Sequence, residues 1–110
     1  LPIVELAIEY TGDVEGSVTF MSNKIVVAAP NVKLLLRPLH SSSKEVIVLY
    51  SEYDGYFTKA GVPLGDYEIS IDPSFLEKSD LVSIPFSRKV EMTKDSDIVD
   101  GLDFKIRKLY

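Results

Sequence analysis

"YDGYFTKAGVPLGDYEISID", residues 53–72, is the stretch whose reading decides the fold. Two glycine-containing turns each run into an aromatic residue. Asp54-Gly55 suits a two-residue hairpin turn, because glycine takes positive φ freely and aspartate tolerates it. Pro63 presets the first corner of a second turn, and Gly65 supplies the positive-φ position from which the next strand starts. Then Tyr67, Ile69 and Ile71 alternate with Asp66, Glu68, Ser70 and Asp72, the period of a strand with one buried and one wet face. Tyr56, Phe57 and Tyr67 are expected on the core or its rim. The glycines lack the G-x-G-x-x-G spacing that cradles phosphates.

The same period recurs on either side. "VELAIEY" (4–10) sets Val4, Leu6, Ile8 and Tyr10 against Glu5, Ala7 and Glu9. "VEGSVTF" (14–20) sets Val14, Val18 and Phe20 against Glu15, Ser17 and Thr19. Val90 with Met92, and Leu102 with Phe104 and Ile106, continue the inward set. "NVKLLLR" (31–37) and "EVIVLY" (45–50) are more uniformly apolar, which predicts strands covered on both faces or part of an interface. The polar "PLHSSSK" joins them as a hairpin loop. "NKIVVAAP" (23–30) reads as a short strand or an apolar loop closing the core. One short helix is predicted in "DPSFLEKSD", with Asp72 as cap, Pro73 at the first helical position and Ser74 with Glu77 at capping-box spacing. "TKDSDIVDG" (93–101) is an Asp-rich loop before the last strand. Seven or eight short, mainly antiparallel strands with regular turn signals predict an all-β sandwich.

A chain of 110 residues suits one domain. A net charge of −5 argues against nucleic-acid binding, which calls for a basic face. The absence of cysteine excludes disulfides and thiolate metal sites. No apolar run approaches the roughly 18 residues that cross a bilayer as a helix. "LPIVELAI" lacks a basic leader and a cleavage site, and no initiator Met precedes it. The expectation is a mature form or a piece of something larger.

"DGYFTKAGVPLGDYEISID" resembles the signature of carboxypeptidase regulatory-like domains, of the transthyretin-like (prealbumin-like) superfamily. The pattern D-G-x-F, then L/V-P-x-G-x-Y and alternating apolar residues, is matched by Asp54, Gly55, Phe57, Val62, Pro63, Gly65, Tyr67, Ile69 and Ile71. "VEGSVTF" resembles the family's first strand, "NVKLLLR" its second and "VDGLDFKIRK" its last. The likeness spans about residues 14–107 and implies a transthyretin-like (Ig-like) sandwich. The expected domain is 1–110, with residues 1–12 as an extra N-terminal strand or a linker leading in. Such modules are accessory, beside peptidase domains or within bacterial outer-membrane and surface proteins, pilus ushers included.

Five constellations bear on chemistry. His40 beside Ser41, Ser42 and Ser43 offers a serine and a base, but "LHSSSKE" reads as an ordinary polar hairpin loop without a tight nucleophile turn, and no convergent nucleophile, base and acid is expected. Transthyretin-like hydrolases of 5-hydroxyisourate use several histidines and a C-terminal Tyr-Arg-Gly-Ser; this chain has one histidine and ends "KIRKLY". Related surface modules with internal isopeptide bonds need a first-strand Lys, absent from "GSVTF", and Ile71 stands where their catalytic acid would be. Only Lys24 with Asp103 remains as a candidate pair. Asp95, Asp97 and Asp100 are candidate calcium ligands in an oxygen-rich loop without EF-hand spacing, and a solvated acidic loop is the preferred reading. Tyr50, Tyr53 and Tyr56 could stack on sugar rings. Packing on the core and rim is the preferred reading, Tyr53 and Tyr56 being the ligand candidates that remain.

The expectation is therefore a non-enzymatic structural or protein-interaction module of a larger exported bacterial protein, in the manner of an outer-membrane secretion or usher component. It would be periplasmic, outer-membrane-associated or on the cell surface. Its partners would be other domains of its parent or a partner protein, with no cofactor, no nucleic acid and no membrane insertion. The alternative is a carbohydrate-binding module using exposed tyrosines. Unpaired edges at "VELAIEY" and "NKIVVAAP" would favour protein contact, since bare edges accept strands.

Overall fold

The computed structural model describes residues 10–40 and 45–109. The alternation at Val4, Leu6 and Ile8 and the serines Ser41, Ser42 and Ser43 lie outside the described residues. The remainder is a sandwich of nine strands and one short helix. The strands are β1 (Thr11–Ser22), β2 (Ile25–Ala28), β3 (Lys33–Pro38), β4 (Ile47–Tyr50), β5 (Tyr56–Pro63), β6 (Gly65–Ile71), β7 (Leu81–Ile84), β8 (Ser87–Met92) and β9 (Ile98–Lys108). The helix α1 (Pro73–Lys78) lies between β6 and β7.

One sheet runs β2-β1-β9-β7, the other β4-β3-β6-β8. β1 is the spine of the first sheet. Its inner edge pairs parallel with β9 from Asp13 to Phe20. Its other edge is shared: β5 takes Thr11–Ser17 and β2 takes Thr19–Ser22, both antiparallel. This parallel pairing of first and last strands departs from an all-antiparallel pattern.

The period-2 sets meet between the sheets. Val14, Val18, Leu102, Phe104 and Ile106 from one sheet pack on Leu34, Leu36, Tyr67, Ile69, Ile71, Val90 and Met92 from the other, in one buried cluster. Phe57 reaches Phe104 at a centroid distance of 6.5 Å, tilted by 42°. Ser70, expected on the wet face, is buried at 3% exposure, because β6 is an inner strand flanked by β3 and β8.

The opening stretch works differently from a pair of hairpins. β4 and β5 belong to different sheets, so Asp54-Gly55 carries the chain across the sandwich rather than joining paired strands. The turn itself is local and tight. The Gly55 N–H donates to the Glu52 carbonyl at 2.8 Å, and the Asp54 carboxylate accepts from the Tyr56 N–H at 3.1 Å. Gly55 has φ +81°, and its carbonyl accepts from Val18. Pro63 and Gly65 likewise bridge the two sheets, with Gly65 at φ 147°.

Two polar groups lock these crossings from inside. The Tyr67 hydroxyl donates to the Pro63 carbonyl at 2.6 Å, four residues back, the arrangement of a tyrosine corner. Tyr67→Phe should cost roughly 1 kcal/mol, the usual worth of one such bond; chemical denaturation that detects no loss would contradict this role. Ser51, also buried, donates to the Ala29 carbonyl at 2.7 Å and accepts from the Val32 N–H at 2.8 Å, tying the β2–β3 and β4–β5 connections together.

Three further expectations are corrected. Of the two readings of β3 and β4, covered on both faces or part of an interface, the first fails: Lys33, Leu35 and Arg37 point outward on β3, and Val48 and Tyr50 are exposed on β4, because no described element packs over them. The helix is capped by Asp72, whose carboxylate accepts from the Ser74 N–H at 3.0 Å. Ser74 is thus the second helical residue rather than the cap, so Ser74 and Glu77 form no capping box. Tyr56 does not drop onto the core; it is 63% exposed.

Candidate interaction surface

The fold leaves one strand bare on three sides. Among the described residues β2 pairs only with β1, and Ile25, Val26 and Val27 are 64%, 51% and 50% exposed. The cause is a mismatch between the sheets. β2 pairs with the last four residues of β1, where burial along that strand is already fading toward the exposed Ser22. Ile25 and Val27 share the inner face with Phe20, while Val26 and Ala28 share the outer face with Thr19 and Met21.

The hydrogen-bond phase fixes which backbone groups are unused. The Ala29 N–H donates to the Val18 carbonyl at 3.0 Å. By antiparallel alternation, Val27 and Ile25 then bond to β1, and Val26 and Ala28 direct N–H and C=O outward. This four-residue edge carries no charged residue, proline or bulge, the devices that usually blunt such edges.

The strand ends in a basic tip. Lys24 closes the β1–β2 turn, and a recess there is lined by Met21, Ser22, Asn23, Lys24, Arg107 and Lys108. The described residues hold two ion pairs, Lys33–Asp72 at 3.5 Å and Lys89–Glu91 at 3.0 Å, and a His40–Asp66 contact at 3.3 Å. None involves Lys24, Lys105, Arg107 or Lys108. The Glu91 carboxylate, hydrogen-bonded to the Lys89 ammonium, raises that lysine above its ordinary range.

No family model matches the sequence, and neither does any curated protein. Solved structures do share the fold. A minor pilin of Streptococcus agalactiae superposes with a TM-score of 0.66 at 16% identity, over 94% of this chain and 47% of that one. The major pilin subunit of Bacillus cereus gives 0.59 at 13%, over 89% and 30%. A candidate carbohydrate-binding protein of Pseudomonas aeruginosa gives 0.61 at 12%, over 88% and 89%. The sandwich is of the Ig-like kind found in pilin domains. At these identities the likeness is one of fold, and the chain spans less than half the length of either pilin.

The residues singled out in the sequence fall in different places. Gly55, Phe57 and Tyr67 are buried, and Asp54, Pro63 and Gly65 shape the two crossings. Tyr50, Tyr53 and Tyr56 are all exposed, at 55%, 87% and 63%, against the expectation of core and rim packing. They sit on β4, on the following turn and at the start of β5. Tyr56 lines a recess with Glu15, Glu52, Phe57 and Thr58.

Asp95, Asp97 and Asp100 are exposed, and no group of three acidic or histidine side chains fit to hold a metal occurs among the described residues. The backbone explains part of this: the Asp97 carbonyl is used by the Asp13 N–H at 2.8 Å, and Asp100 has already entered β9. Lys24 and Asp103 are separated too. Asp103 stands opposite Ser17 and accepts from its hydroxyl at 2.9 Å, whereas Lys24 lies beyond the end of β1.

The β2 edge was legible as an apolar run without alternation. The basic tip was not, because its lysines and arginine come from the β1–β2 turn and from β9, distant in sequence.

Proposed function

We propose that this chain is a non-enzymatic interaction module of a larger exported bacterial surface protein, and that it works through the β2 edge. The observation carrying this reading is the exposure of Ile25, Val26 and Val27 on a strand with two outward backbone pairs. Unused N–H and C=O groups recruit an extended partner segment, and apolar flanks on both faces add hydrophobic burial. Parallel cases of the fold in pilin subunits support a place at the cell surface. Membership of the carboxypeptidase regulatory-like family, and an outer-membrane secretion or usher setting, rest on the motif from Asp54 to Ile71.

The test is a binding screen of the chain against the flanking domains of its parent protein, with Val26→Pro as the control. Proline at Val26 removes an outward N–H and leaves the β1 ladder intact. Binding lost in the variant is the expected result; binding unaffected by it would refute the edge as the site.

A second reading has its own observation: three exposed tyrosines, Tyr50, Tyr53 and Tyr56, near one turn. The fold shared with the candidate carbohydrate-binding protein of P. aeruginosa supports it too. A glycan array should nevertheless be silent. A sugar signal abolished by Tyr53→Ala or Tyr56→Ala would reverse the order of the two readings.

A further inference from the structure

The β2 edge also points to its own occupant. We infer that it accepts the segment of residues 1–9 from a second copy of this chain, added as an extra strand, so that copies join head to tail. The inference rests on the edge being an interaction site and goes beyond it by naming the partner.

Three observations converge. The first is pattern. In "VELAIEY", Val4, Leu6 and Ile8 alternate with Glu5, Ala7 and Glu9. A strand so patterned has an apolar side to lay against Ile25 and Val27, beside the half-buried Phe20, and an acidic side to leave in water.

The second is charge. The chain carries a net −5, yet the β2 end presents Lys24, Lys105, Arg107 and Lys108 without a carboxylate partner among the described residues. Lys105 stands opposite Thr19 on the outer face, with Arg107 two residues further along β9. An added strand would lie three strand spacings from β9, about 14 Å. The basic groups therefore steer an acidic strand toward the edge rather than forming close pairs with it.

The third is reach. Tyr10, under the Lys94 ammonium at 4.7 Å from its ring, marks where the segment joins the sandwich, just before Thr11. β2 begins its pairing opposite Thr19, about 26 Å further along β1 at ~3.3 Å per residue. Val4 lies seven residues before Thr11, a reach of at most roughly 25 Å fully extended. Val4, Leu6 and Ile8 therefore fall short of pairing along the chain's own β2. Donor and acceptor lie toward opposite ends of one strand, so the contact is heterologous and builds rings or open runs of copies.

The experiment is sedimentation of the 110-residue chain over a wide concentration range, with two variants. Ile8→Pro breaks the donor segment; Val26→Pro breaks the acceptor edge. The unaltered chain should grow beyond a dimer as concentration rises. Each variant alone should stay monomeric. An equimolar mixture should form a one-to-one dimer and nothing larger, because Ile8→Pro still accepts and Val26→Pro still donates. If Val26→Pro fails to fold by circular dichroism, Val26→Glu replaces it, repelling the acidic donor with the backbone unchanged.

A monomeric unaltered chain overturns the inference. So does an Ile8→Pro variant that self-associates as the unaltered chain does, since that means β2 pairs with β2. A mixture that stays monomeric overturns it as well. Should the unaltered chain be monomeric while Val26→Pro still abolishes binding to a flanking domain, this inference falls and the interaction reading stands.

Discussion

Gly16→Ala is expected to destabilise the sandwich by about 3 kcal/mol, the upper end of what overpacking a well-filled core costs. Gly16 lies in β1 between two partners, opposite Phe57 on β5 and Leu102 on β9. A Cβ built there falls on the Leu102 carbonyl and on the Phe57 ring. The ring can tilt, but the carbonyl belongs to the backbone of the long parallel pair and cannot give way alone. Denaturant unfolding is the measurement: the midpoint should fall with the slope unchanged. Phe57→Leu added to Gly16→Ala should cost less than the two changes summed, because it removes one of the two clashes. Full additivity would mean that the ring and the glycine are not in contact.

Gly16 shows what the sequence could and could not disclose. "VEGSVTF" reveals a strand with Val14 and Val18 inward, and that pattern is local. That a glycine must sit between them depends on which strands flank β1, which is a long-range fact. The same divide runs through the rest. The alternating stretches at 14–20, 67–71, 90–92 and 102–106 were legible with their buried faces, since a period of two needs no knowledge of neighbours; in "VELAIEY" the one described residue of the apolar set, Tyr10, is 52% exposed instead, because it precedes β1 and lies outside the sandwich. The turn at Asp54-Gly55 was legible as a turn, but not as a crossing between sheets, because turn chemistry is set by four residues and sheet membership by pairing elsewhere. "EVIVLY" left two readings open, covered on both sides or part of an interface, since such a run looks the same whether its outer face is packed or bare. At the surface, "NKIVVAAP" showed lost alternation, which suits the bare β2 edge, and the aspartates Asp95, Asp97 and Asp100, read first as a solvated acidic loop, are exposed.

Ile69→Ala tests the core register directly and should cost roughly 2–5 kcal/mol, as other large-to-small changes at fully enclosed sites do. Ile69 has no exposed surface and lies on β6, opposite Leu36 on β3 and Arg88 on β8. Its inward neighbours Tyr67 and Ile71 belong to the same cluster as Phe104 and Ile106 across the sandwich. Three pinned sides leave little freedom to collapse into the space of the missing atoms, which favours the larger end of the range. The informative comparison is Val48→Ala. Val48 lies on β4 in the same sheet, also apolar and β-branched, but 44% exposed on the uncovered face. Half its surface meets water in the folded chain already, so its truncation should cost less than about 1 kcal/mol. A shift of register by one residue would exchange inward for outward along a strand. Thermal or denaturant unfolding of the two variants separates the cases: a large loss at Ile69 and a small one at Val48 upholds the register, and the reverse order would place the core on the other face of the sheet.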